Sequence, residues 1–240
     1  MSGRLSSYCL LGGNGINSAG GTGTYPVISA SLNGYEKVVQ LLLERGAEVN
    51  AQDEQYGNAL QAASLEGHDK IVQLLLEEGA TVNTQSVEYW KTLRDASSRG
   101  HNKVVQLLLE KGAEVNTEGR HFGYALLAAC LRGHDTIVQL LLEKGAEVNA
   151  QDEQYGNALQ AASYGGHDKV VRLLLEKGAS INAQGGQYGN ALQAASSGGH
   201  NKIVQLLLEK GAEVNAPGGE YVNALQAASL GGQAKIVEIV

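Results

Sequence analysis

Cysteine, methionine, tryptophan, phenylalanine and proline are nearly missing from this 240-residue chain, which has two Cys, one Met, one Trp, one Phe and two Pro. Cys9 and Cys130 are too few for a disulfide framework and neither sits in a C-x-x-C pair, so a reducing compartment is expected: cytoplasmic, with the nucleus also open. No run approaches the ~20 apolar residues of a bilayer span, and the start MSGRLSSYCLLGGNG lacks the apolar core of a signal peptide. Positive charge is short as well: 18 Lys and Arg stand against 25 Asp and Glu, a net charge of -7. That balance gives no broad attraction for nucleic acid or an anionic membrane, and no continuous basic stripe offsets it.

Glycine is abundant, 32 of 240 residues, and it is periodic. Gly34, Gly67, Gly100, Gly133, Gly166, Gly199 and Gly232 recur every 33 residues; so do Gly46 to Gly211 and Asn50 to Asn215, without insertion or deletion. A fixed period of this length means a stacked array of small units. The unit YGNALQAASLEGHDKIVQLLLEEGA at 56–80 reads physically as two helices. Asn58 is an N-cap for a short alanine-rich helix that lets a neighbour approach closely. Gly67 ends it and His68 begins a tight turn. Asp69 is a cap candidate for a second helix, in which Ile71, Leu74 and Leu75 repeat at i, i+3, i+4 and Val72 and Leu76 widen the apolar face. Gly79 is a stop that tolerates positive φ. One unit cannot bury these stripes alone; stacked units can.

The segments GHDKIVQLLLEEGATVN at 67–83, GHDTIVQLLLEKGAEVNA at 133–150 and GHNKIVQLLLEKGAEVNA at 199–216 resemble the second helix and loop of the ankyrin repeat. The family's Thr-Pro-Leu-His opening is NALQ here, at 58–61, 157–160, 190–193 and 223–226, and only Pro26 keeps the Pro position. The resemblance implies an all-α solenoid of stacked helix-turn-helix units with β-turn or hairpin loops. Units are expected at 21–53, 54–86, 87–119 (divergent), 120–152, 153–185 and 186–218. A degenerate remnant is expected at 1–20, where Gly13, Ile16 and Asn17 fall in register with Gly46, Val49 and Asn50, and a truncated unit at 219–240. The NALQAAS variant resembles arrays of fungal ankyrin proteins, often appended to nucleotide-binding signalling proteins. The apolar ending KIVEIV suggests a fragment whose last unit frays or self-associates; the rest is expected to be monomeric.

Chemistry-bearing residues follow the same ruler. His68, His101, His134, His167 and His200 share one repeat position, ~10 Å apart on successive packed helices. Metal ligands must sit ~2 Å from the ion, so these histidines are expected to hold the turn. His121 stands alone on a loop. GGNGINSAGGTGT at 12–24 has neither the Gly-Lys-Ser/Thr of a Walker loop nor a strand before it. Glu44 to Glu209 close the second helices, mostly beside Lys or Arg, as a solvated face. No catalytic residue, metal or cofactor is expected. Asn50, Asn83, Asn116, Asn149, Asn182 and Asn215 match the loop Asn hydroxylated in some ankyrin proteins, and their simpler role is bonding the loop backbone.

What varies is expected to recognise a protein partner, which the family resemblance places on the concave face and loop tips. Tyr56, Tyr89, Phe122, Tyr155, Tyr188 and Tyr221 recur before the first helices, either packing loop on loop or offering an aromatic edge. The third and fourth units depart most: QSVEYWKTLR at 85–94 and EGRHFGYALL at 118–127 replace QDEQYGNALQ at 52–61. Trp90, Lys91, Arg94, Arg99, Arg120, His121, Phe122, Tyr124 and Arg132 are the candidate partner-binding residues, since Trp and Arg are enriched in binding hot spots and rings beside guanidiniums supply cation–π contacts. Asp95 replaces an alanine and could pair with Arg94 or Arg99; a patch that merely drifted in a tolerant scaffold is the competing reading. A structural or regulatory arm of a larger signalling protein is the alternative function.

Overall fold

Four of the first helices begin at an asparagine cap, and glycines of positive φ end most helix pairs and their turns. The computed structural model describes residues 15–19, 24–83, 92–116 and 124–240, and these hold fourteen helices in seven pairs. They divide into two compact units, residues 1–96 with 101–114, and residues 97–100 with 115–240. The first holds α1 (Pro26–Leu32), α2 (Glu36–Glu44), the hairpin β1 (Gln52–Asp53) and β2 (Gly57–Asn58), α3 (Ala59–Glu66), α4 (Asp69–Glu77), most of α5 (Thr92–Arg99), and α6 (Asn102–Glu110). The second holds α7 (Ala125–Arg132), α8 (Asp135–Glu143), α9 (Ala158–Gly165), α10 (Asp168–Glu176), α11 (Ala191–Gly198), α12 (Asn201–Glu209), α13 (Ala224–Leu230) and α14 (Ala234–Ile239). Its first helices α7, α9, α11 and α13 pack side by side, as do the second helices behind them.

The first helices α3, α9 and α11 are sealed at both ends. Asn58 Oδ1 accepts from Gln61 N at 2.8 Å and Gln61 Oε1 from Asn58 N at 2.9 Å, a reciprocal capping box. Asn157 and Gln160 repeat it, so the Asn-Gln departure from the family's Thr-His keeps the cap. Gly67 closes α3 with φ 79°. Between the caps, Ala59, Ala62 and Ala63 are buried, and their small side chains admit the neighbouring helix. Two details differ from the sequence reading. Asp69 is the first helical residue of α4 rather than its cap; His68 takes the cap position without a side-chain bond, and the carboxylate instead faces the positive end of the helix dipole. Leu74 is only half-buried while Ile71, Val72, Leu75 and Leu76 are buried.

Two ladders join each repeat to the one before. The histidines do more than hold a turn within a repeat. Nε2 of His68, His101, His134, His167 and His200 lies 2.8–3.2 Å from the carbonyl oxygen of Leu32, Leu65, Ser98, Leu131 and Tyr164, each 36 residues earlier. The ring rests on the glycine two residues past that carbonyl, so that a Cβ at Gly133 would sit 2.3 Å from His167 Nδ1. The loop asparagines reach forward instead: Asn149 Nδ2 donates to Gly178 O at 3.2 Å and Asn149 Oδ1 accepts from Ser180 N at 2.8 Å. Asn50, Asn83, Asn116 and Asn182 do the same. So does Asn17, to Gly46 O and Glu48 N.

Cys130 takes the buried row of Ser31, Ser64, Ser97, Ser163 and Ser196, as a small packed residue. Burial pushes its thiol far above the usual range, so no thiolate is available for chemistry.

Gly133 and Gly145 both have positive φ, 75° and 89°, but no neighbour lies within 4 Å of a Cβ at Gly145. Both alanine variants carry a backbone penalty of ~1–2 kcal/mol. Gly133→Ala must also displace the His167 ring, so urea denaturation should show it clearly less stable than Gly145→Ala. Tyr124 stands at the N-cap of α7 with no side-chain cap bond. Tyr124→Asn restores the repeat's own cap and should raise stability by about 1 kcal/mol in the same measurement.

Candidate functional site

On the first helices α7 and α9 only the last residues leave the interior: Ala125 to Cys130 and Ala158 to Ser163 are buried, while Leu131, Tyr164 and Gly165 are half-buried and Arg132 is exposed. Of the nine candidate residues, Trp90, Lys91, Arg120, His121 and Phe122 lie outside the described residues. The other four take different places. Arg94 occupies the position of Gln61 and Gln160, and Asp95 that of a buried alanine. They pair with each other: Arg94 Nε and Nη2 donate to Asp95 Oδ1 at 2.9 and 2.7 Å. Their side chains are only 17% and 13% exposed, so the pair sits largely inside the scaffold, where two opposite charges replace a glutamine and an alanine. Tyr124 is half-buried at the cap of α7. Arg99 and Arg132 are exposed, each closing its first helix at the position that is Gly165 and Gly198 in the two repeats after Arg132.

Among the residues that recur before the first helices, Tyr89 and Phe122 lie outside the described residues. Tyr56 accepts from Gln55 Nε2 at 3.0 Å. In the second unit the recurring tyrosines lie down on the first helices and become one cluster. Tyr188 stacks on Tyr164 with centroids 4.3 Å apart, and Tyr155 lies 6.4 Å from each. The Tyr221 hydroxyl is 3.1 Å from Ser197 Oγ. Tyr188 is 7% exposed; Tyr155, Tyr164 and Tyr221 are half-buried. The packing reading holds for Tyr155 and Tyr188, whose rings meet. The sequence reading passed over Tyr164. It stands where the other repeats have Leu65, Ser98, Leu131, Ser197 and Leu230, and a ring there is the floor on which Tyr188 stacks.

The electrostatics tie Arg132 to this cluster. Burial raises the Tyr155 phenol above its usual range, aided by Tyr164 and Asp152, while the Arg132 guanidinium pulls it down. Burial chiefly, and then a side-chain hydrogen bond to Tyr164, raises Tyr188. Tyr155 and Tyr188 are therefore neutral hydroxyls at pH 7. Backbone bonds hold the loops that carry them: Gln187 N donates to Gln154 O and Glu220 N to Gln187 O, both at 2.8 Å. Gly186 and Gly219 make that approach possible, since a Cβ on either would fall 2.2–2.3 Å from a backbone nitrogen of the preceding loop.

Among the described residues no group of three or more His, Cys, Asp or Glu is placed to hold a metal ion, and no helix is long and apolar enough to cross a membrane.

The family model "Ankyrin repeats (3 copies)" matches residues 7–86, 27–119 and 93–185, and "Ankyrin repeat" matches 190–218. No curated protein matches. The crystal structure of the human ASB11 ankyrin repeat domain is similar with a TM-score of 0.81 and 27% identity, over 90% of this chain and 97% of that one. With its helix pairs, loops and most of its length accounted for in this way, the chain belongs to the ankyrin-repeat family, whose fold is a non-catalytic protein-interaction scaffold.

Proposed function

We propose that the chain binds a protein partner on its concave face and loop tips, through the divergent residues Trp90, Lys91, Arg94, Arg99, Arg120, His121, Phe122, Tyr124 and Arg132. One observation carries this reading. Arg132 is exposed where the next two repeats have glycine, so packing does not require an arginine there, which supports a use in recognition. Arg94 contributes less directly, because Asp95 already neutralises it. The partner is met inside a reducing, cytoplasmic compartment.

A second reading has its own support. Val222, Leu225, Leu230 and Val237 are 64%, 43%, 71% and 41% exposed, whereas Leu159 and Leu192, the counterparts of Leu225, are 0% and 1% exposed. A second copy or another protein surface on this face fits an array that serves as a regulatory arm of a larger signalling protein, as in the fungal proteins whose arrays it resembles.

The test of the first reading is affinity capture from the native source with the chain as bait. Trp90→Ala should lose the captured partner. Arg94→Gln with Asp95→Ala restores the repeat's own Gln-Ala pair and should keep the fold while weakening capture only mildly. Retention by Trp90→Ala, Arg99→Gly and Arg132→Gly, with loss on substitution in the outer repeats, overturns the proposal.

A further inference from the structure

We infer that a second copy of this chain docks its α1–α2 pair on the α13–α14 pair of the first copy, with Asn17 as a plug that docking displaces. The inference rests on the second reading, a copy seated on the exposed face, and names the surface that the copy brings. Six large apolar side chains are exposed among the described residues: Tyr35 (42%), Leu41 (48%), Val222, Leu225, Leu230 and Val237. All lie on α2, α13 and α14 or in the segments just before them. Elsewhere the same rows are covered. Leu74, Leu107, Leu140 and Leu173 are half-buried where Leu41 is exposed, and Val204 is 0% exposed where Val237 is open.

The joints between repeats show how the two faces fit. Lys70 and Lys103 reach back to Glu36 and Asp69 of the repeat before, at 3.8 and 3.1 Å. Lys37 is the same residue of α2 and is exposed, and Leu41 lies one turn further along that face. On α14 the acid position is Ala234, and Val237 and the exposed Glu238 lie one turn on from it. Docked in the manner of the other joints, Lys37 of one copy meets Glu238 of the other, and Leu41 meets Val237. The ring seat matches as well. Gly34, Gly67, Gly100, Gly133 and Gly166 each carry a histidine ring and Gly199 carries Gln233, whereas nothing lies within 4 Å of a Cβ at Gly232. Tyr35 holds the histidine position of its repeat, so its flat ring is the group that reaches this seat.

On the loop side the place is already taken. Asn17 Nδ2 donates to Gly46 O at 3.1 Å, and Asn17 Oδ1 accepts from Glu48 N at 2.7 Å. Asn215 of the docking copy is the equivalent residue and is exposed, and residues 213–217 would fill the space that 15–19 hold. The exchange loses two hydrogen bonds and regains the same two, so burial of the apolar side chains decides the balance. A contact between two different faces does not close on itself, and copies can add one after another.

Sedimentation velocity of the whole chain over about a hundredfold range of concentration tests this: the average mass should rise past that of a dimer by mass action. Lys37→Glu and Glu238→Lys should each weaken association about two- to fivefold, the worth of an exposed charge pair, and the chain carrying both should recover it. Asn17→Ala should strengthen association and Asn215→Ala weaken it, each about two- to tenfold. Thermal melting checks the fold of each variant; if an asparagine variant unfolds, the charge exchange, made on exposed residues only, decides. Failure of the double reversal to recover association, or association that ignores both Lys37→Glu and Asn17→Ala, overturns the inference and leaves a copy seated in another way. A mass that stays that of one chain in the wild type and in Asn17→Ala overturns this inference and the second-copy reading together.

Discussion

Everything in this chain depends on a histidine ring lying on a glycine of the repeat before. The ring needs the missing Cβ, the glycine supplies the positive φ that ends the first helix, and Nε2 meets a carbonyl that the helix end leaves without a partner. Each such bond is worth only ~0.5–1.5 kcal/mol net. Its larger effect is positional: it sets how far one helix pair sits from the next, and so lets Ala161, Ala162, Leu159 and Leu192 close into a continuous core. Hydrophobic burial supplies the bulk of the stability, while the polar ladders select the register in which burial occurs.

Function then falls to what the ladders do not use. Glycine, histidine and asparagine are committed at every joint, and alanine and leucine fill the core. The row at the end of each first helix is not fixed in type, and it reads Asn33, Glu66, Arg99, Arg132, Gly165, Gly198 and Gly231. That row varies from repeat to repeat: it is glycine where a Cβ would meet the chain, at Gly165 and Gly198, and arginine at Arg132, beside the tyrosine cluster. At the inward rows, the charges of Arg94 and Asp95 neutralise each other.

Spacing alone made the architecture legible. A 33-residue period in Gly, Asn and His sufficed for the helix pairs, the caps and the loop asparagines. Periodicity identifies rows, however, and does not say which way a row faces or which repeat its side chains touch. His167 was therefore legible as a turn residue but not as a bond to Leu131, Arg94 as a basic departure but not as one half of a partly buried pair, and Tyr164 not at all. In each case the deciding contact is to a neighbour whose distance only the folded stack defines.

The asparagine ladder has a consequence for the gene as much as for the fold. Asn50, Asn83, Asn116, Asn149 and Asn182 each bond a glycine carbonyl 29 residues ahead, so every described joint of this kind is closed by the same pair of groups. Duplication or loss of a whole repeat leaves matching donors and acceptors at the new junction. Recombination between copies can therefore lengthen or shorten the array in whole repeats without inventing an interface, whereas a shift of even one residue leaves an unmatched joint.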